Sequence, residues 1–146
     1  MTKQEFKILI EASPEKVWNI LWNDSTYPEW TSVFSEGSHA ETDWEKGSKV
    51  LFLNANNEGM VSKIADKIPN KFMSIKHVGT IKDGIEDLNS EEVKEWEGAF
   101  ENYTLKAGDG KTELVVDMDI TEEYQDYFQS TFPKALEKVK ELAEKN

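Results

Sequence analysis

The stretch Thr121–Lys145, TEEYQDYFQSTFPKALEKVKELAEK, decides what the rest of the chain must build. Its apolar residues fall at Tyr124, Tyr127/Phe128, Phe132, Ala135/Leu136, Val139 and Leu142/Ala143. That three-then-four spacing makes one wide stripe on a helix, with Glu, Lys and Gln on the other side. Thr121 before Glu122 and Glu123 predicts an N-cap with acids in the first turn. Lys134, Lys138, Lys140 and Lys145 crowd the far half, so the charges complement the helix dipole at both ends. Pro133 lacks an N–H and its ring opposes the carbonyl of Gln129, which predicts a kink or break near Gln129–Pro133. The aromatic half is then the looser one, controlling access to whatever it covers. A long amphipathic helix needs a surface to lie on, and the preceding residues read as the sheet that supplies it.

At 146 residues the chain has the size of a single domain spanning 1–146. Apolar residues make up 38% and charged residues 32%, with no low-complexity tract, so a folded protein is expected. The absence of cysteine removes disulfides, thiolate metal sites and a thiol nucleophile together. Met1–Glu5 lacks the basic-then-apolar layout of a signal peptide, and no run reaches the roughly 18 apolar residues of a membrane span. A cytoplasmic location is the expectation. The net charge is −12 and all 17 cations are lysine. Such a surface repels polyanions, and without arginine there is no bidentate fork for a phosphate or carboxylate. Nucleic-acid partners and strongly anionic ligands are disfavoured on both counts.

Glu5 to Ala12 alternates, with Phe6, Ile8 and Ile10 on one face of a strand. Ser13-Pro14-Glu15 is a helix start, Ser as N-cap and Pro at the first helical position, and Val17, Trp18, Leu21 and Trp22 form the buried stripe behind it. Tyr27-Pro28-Glu29-Trp30 suits a short second helix or turn. From His39 onward the texture is that of strands. Lys49–Leu53 is followed by the turn Asn54–Gly59, then by alternating Met60, Ser62 and Ile64. After Pro69-Asn70, Met73, Ile75 and His77 share a strand face. Gly79 to Glu95 reads as a solvated loop or short exposed helix, since Glu86 to Glu101 holds seven acids against Lys94 alone. Trp96–Leu105 and Lys111–Asp119 read as strands joined by Gly108-Asp109-Gly110. Strands in hairpin succession with a terminal helix predict an antiparallel sheet in an α+β domain.

Ala12-Ser13-Pro14-Glu15-Lys16-Val17-Trp18, followed by Tyr27-Pro28-Glu29-Trp30, resembles the opening of the START/Bet v 1-like (SRPBCC) superfamily. Trp44 with Gly47, Ile75 and His77 with Gly79, Trp96 with Gly98, Glu101 with Tyr103 and Leu105, and Phe132-Pro133-Lys134-Ala135-Leu136 extend the resemblance along the whole chain. These residues look like the bacterial branch related to the C-terminal domain of the Hsp90 ATPase activator. The resemblance implies a helix-grip fold. In it a curved antiparallel sheet of about seven strands wraps the long C-terminal helix, with two short helices between the first and second strands and a cavity inside. Members include lipid and steroid carriers, receptors, polyketide cyclases and co-chaperone domains, so the fold alone does not fix a function. This chain lacks the additional N-terminal domain of full activators, which weighs against the co-chaperone role.

The aromatic inventory is the most informative functional feature. Trp30, Phe34, Trp44, Phe52, Trp96, Phe100, Tyr103, Tyr124, Phe128 and Phe132 exceed what a simple core of this size requires. Aromatic-lined cavities with a few polar groups are typical small-molecule sites. The alternative is that the rings fill the cavity. The expected ligand-facing set is Trp30, Phe34, Trp44, Phe52, Met60, Ile75, His77, Trp96, Glu101, Tyr103, Met118, Tyr124, Phe128 and Phe132. Of these His77 and Glu101 are the polar candidates. A buried carboxylate beside an imidazole can do acid–base work, because burial favours the neutral acid. The competing reading is a hydrogen-bonded structural histidine and a satisfied glutamate, and the connection between their strands leaves the two unplaced relative to each other. His39 and His77 lie on different strands without ligand spacing, so no metal site is expected. No phosphate loop or nucleophile elbow occurs, and no cofactor is called for. The leading expectation is a non-enzymatic domain binding a small hydrophobic, aromatic or lipid-like molecule. A chaperone-partner module and a cyclase- or dehydratase-like enzyme using His77 and Glu101 are the alternatives.

Overall fold

In a computed structural model describing residues 1–145, α4 (Gln125–Glu144) lies across the concave face of one antiparallel sheet. The strands are β1 (Thr2–Ile10), β2 (His39–Glu41), β3 (Lys49–Leu53), β4 (Gly59–Ile68), β5 (Phe72–Lys82), β6 (Ile85–Asp87), β7 (Phe100–Gly108) and β8 (Lys111–Ile120). They are ordered β1-β8-β7-β5-β4-β3-β2, with β6 paired to the far end of β5. Between β1 and β2 come α1 (Pro14–Trp22) and α2 (Tyr27–Thr31), and α3 (Glu91–Lys94) precedes β7. No helix is long and apolar enough to cross a membrane among the described residues.

Local chemistry explains most of these boundaries. The Ser13 side chain accepts from the Lys16 N–H at 3.3 Å, and Pro14 occupies the first turn of α1. The Trp30 indole donates to the Leu21 carbonyl at 3.2 Å, fastening α2 to α1. The β7–β8 turn carries φ of 52° at Asp109 and 77° at Gly110, the paired positive values of a tight hairpin whose twist matches its strands. Ala135, Leu136, Val139 and Ala143 of α4 are buried in the same cluster as Ile10, Val17, Leu21 and Leu114. Burying an aliphatic side chain of this kind contributes about 1.5–3 kcal/mol, so this half of the helix is the permanent contact.

Four expectations need correction. The C-terminal helix is unbroken through Pro133. Gln129 and Pro133 both face solvent, so water can satisfy the carbonyl that the proline leaves without a partner. Thr121 makes no side-chain cap; a 3₁₀ turn at Glu122–Tyr124 intervenes before α4 begins. The region after Val78 is more ordered than a loop, because β5 continues to Lys82 and turns at Asp83-Gly84 into β6. That hairpin brings the strands to eight. Finally, Trp96 precedes β7 instead of opening it: Ser90 caps α3 by accepting from the Val93 N–H, and the strand starts at Phe100.

Candidate functional site

Two irregularities in the β4–β5 pairing set which side chains face α4. Ile75 lies opposite Glu101 of β7 and Met73 opposite Tyr103, which puts Met73, Ile75, Glu101 and Tyr103 on the concave face. Ser62 of β4 pairs with His77. The next partners are Val61 with Gly79 and Met60 with Thr80, so Val78 is an extra residue on β5. The bulge reverses the alternation beyond it, and Thr80 faces inward where a regular strand would have aimed Gly79. The second shift, at Ala65, does the same on β4 and places Lys67 opposite Met73.

Between this face and the aromatic half of α4 lies a cavity of about 500 Å³. Rings supply most of its wall: Tyr27, Trp30, Phe34, Phe52, Trp96, Tyr103, Tyr124, Tyr127, Phe128 and Phe132, with Met60 and Met118 between them. The rings also brace one another. Phe34 meets Phe132 edge-on at 5.1 Å between centroids, and the Tyr127 hydroxyl donates to the Phe34 carbonyl at 3.0 Å. His77 and Glu101 line the same space.

The polar groups form one chain. The Ser62 hydroxyl meets His77 Nδ1 at 2.6 Å, His77 Nε2 meets Glu101 Oε1 at 3.0 Å, and the Tyr103 hydroxyl donates to Glu101 Oε2. Against an ionised Glu101, Nε2 carries the hydrogen and Nδ1 accepts from Ser62, a tautomer assigned from the partners. Ser62 is 1% exposed and Tyr103 is 1% exposed, so neither hydroxyl has bulk water to fall back on. Tyr27 lines the same cavity, and its phenol feels the charge of Glu101.

Burial, followed by the charge of Glu101, pushes the Tyr27 phenol well above its usual pKa; for Tyr103 burial again leads, with the Glu101 charge and hydrogen bond adding to it. The unfolded chain ionises its phenols near pH 10, so it loses protons before the folded state does. The stabilisation is therefore complete below about pH 10 and is lost as pH rises past that value. In an alkaline titration followed by phenolate absorption, Tyr27 and Tyr103 are expected to stay silent until circular dichroism reports unfolding. One reversible step that ionises all 4 tyrosines of the folded protein would contradict this.

Every residue expected to face a ligand lines the cavity except two. Ile75 is 1% exposed and sits in the core. Trp44 packs on Trp22 at 5.0 Å and borders a separate, smaller space of about 220 Å³ with Trp18, Lys67 and Met73. It does so with φ of 60°, a left-handed conformation uncommon for a bulky residue. Phe100, part of the aromatic inventory, points away and is 36% exposed. Sequence reading missed Ser62 as the partner of His77, and it missed Tyr27, Glu58, Glu92 and Asp119 on the wall. Only the Met60-Ser62-Ile64 alternation carried a signal for any of them.

No family model matches the chain, and no curated protein matches its sequence. Solved structures match along its length. The solution structure of the Aha1 dimer from Colwellia psychrerythraea superposes with a TM-score of 0.76 at 20% identity, covering 99% of this chain and 97% of that one. ChR145 from Cytophaga hutchinsonii gives 0.71 at 20% identity over 99% and 94% of the two chains. CalU16 from Micromonospora echinospora gives 0.67 at 12% identity over 97% and 75%. At these identities the likeness is one of fold. In agreement with the resemblance carried by its sequence, the chain has the helix-grip fold of these proteins from end to end.

Proposed function

We propose that the protein binds a small hydrophobic molecule in the cavity between sheet and α4. The observation that carries this reading is the cavity itself, about 500 Å³ lined by ten aromatic rings, with the Ser62–His77–Glu101–Tyr103 chain on its sheet side. A largely apolar, ring-lined cleft of this size with some convergent polar groups is what recognition of a ligand of modest size requires. The rings supply contact area, and the Ser62–His77–Glu101–Tyr103 chain supplies a fixed point for one polar group of the ligand. Titration with an apolar fluorescent probe is expected to saturate at one site. Met60→Trp, which adds bulk to the wall from β4, is expected to weaken that binding roughly tenfold or more, about 1.4 kcal/mol. Absence of saturable binding, or identical binding by the filled variant, overturns the reading.

The His77–Glu101 contact favours a second reading, proton transfer to or from a bound substrate. In that case metabolite conversion by the protein disappears in the His77→Ala/Glu101→Gln double variant; conversion that persists removes it. A chaperone partner rests on the fold likeness to an Aha1 protein alone and ranks below both.

A further inference from the structure

The outer face of the sheet carries a row of lysines. Lys49, Lys63 and Lys76 stand opposite one another across β3, β4 and β5, all exposed and all on the side away from α4. The cavity, by contrast, is lined by Glu58, Glu92 and Glu101 and by no lysine. These carboxylates come from a turn, a helix and a strand, so they are not a local acidic run. Asp119 also borders the space, but its side chain alternates to the outer face and accepts from the Phe100 N–H at 3.0 Å. Among the described residues no ion pair reaches Glu58 or Glu92. Glu101 sits innermost, its side chain 18% exposed and fixed by Tyr103 and His77.

We propose that the cavity selects an amphipathic organic cation, an apolar skeleton carrying an ammonium group, over a neutral or anionic ligand of the same size. This rests on the ligand-binding reading above and narrows it. An anion entering this space would leave water with no lysine or arginine to receive it and three carboxylates to oppose it. An ammonium group meets the reverse. Aromatic faces attract it through their quadrupoles, Glu101 offers a held counter-charge, and the net charge of −12 steers it inward. The only basic groups among the lining side chains are the imidazoles of His39 and His77.

Three probes of one skeleton test the proposal by calorimetric titration at about pH 8 and low salt: naphthylmethylamine, naphthalenemethanol and naphthoate. The amine is expected to bind roughly tenfold tighter than the alcohol and the carboxylate more weakly than either, with the gap narrowing as salt is raised. Glu58→Lys/Glu92→Lys alters the mouth, where Glu92 is exposed on α3. It is expected to weaken the amine and strengthen the carboxylate, opposite shifts that partial unfolding cannot produce. Alcohol or carboxylate binding as tight as the amine, or an amine preference unmoved by both salt and the double substitution, overturns the proposal and leaves the cavity reading standing. Failure of all three probes to bind overturns both.

Discussion

Replacing Phe132 by alanine is expected to destabilise the protein by about 3–4 kcal/mol. Phe132 is 2% exposed, stacks on Phe6 of β1 at 5.0 Å with planes 12° apart, and meets Phe34 at 5.1 Å. It therefore ties α4 to the edge of the sheet and to the segment after α2 at once. Truncation forfeits the transfer energy of the ring and leaves a void that the surrounding rings fill only in part. One face of the site already borders open space, so water can enter and hold the loss near the lower end of that range. Phe128, half-buried one turn earlier, lies 6.3 Å from both Phe34 and Phe132 and is expected to cost about 1 kcal/mol on the same substitution. In urea unfolding, Phe132→Ala lowers the midpoint with little change in m, and the melting temperature falls by roughly 6–12 °C. Equal losses for the two variants would mean that α4 is held evenly along its length, contrary to this division.

That division was only half legible in the sequence. The periodicity of Thr121–Lys145 located the helix and its stripe, because an i, i+3, i+4 pattern is a property of the chain itself. Its aliphatic half became core as the pattern implied. Tyr124 and Tyr127 are 46% and 42% exposed despite lying on the stripe, since what they face is a cavity and its mouth. Periodicity reports the face of an element, and it is silent about whether matter or space lies opposite.

The same limit shaped the site. Ser13-Pro14-Glu15 and Gly108-Asp109-Gly110 could be read because caps and tight turns are local chemistry. The extra residue at Val78 could not, and with it went the alternation of the second half of β5. The acidic stretch after Gly79 read as a loop or a short exposed helix; α3 realises the helix, whereas the continuation of β5 into the β6 hairpin had no apolar alternation to announce it. Glu101 and His77 were both singled out as polar side chains on apolar strand faces. Their meeting depends on Ile75 pairing with Glu101, a register fixed by the whole sheet and not by the residues between the two strands. Trp44 and Ile75 were misjudged as wall for a related reason: both lie on the inward side, but where the core is closed.

The polar chain yields the second large effect. Tyr103→Phe is expected to cost about 1.5–2 kcal/mol, more than the usual neutral hydrogen bond, because it takes a donor from a carboxylate that water reaches only through the cavity. Glu101→Ala removes the acceptor from two donors at once, the buried Tyr103 hydroxyl and His77 Nε2, and is expected to cost about 2–3 kcal/mol. Glu101→Gln should be milder. Its amide oxygen still accepts from Tyr103, and its NH₂ can donate to His77 once the ring changes tautomer and Nδ1–H turns to the Ser62 oxygen. Combining Tyr103→Phe with Glu101→Ala removes both partners of the buried contact, so the double variant is expected to lose about 1.5 kcal/mol less than the sum of the singles. Additive losses in that cycle would show that the two side chains do not depend on each other, and the chain from Ser62 to Tyr103 would then be no single fixed point for a ligand.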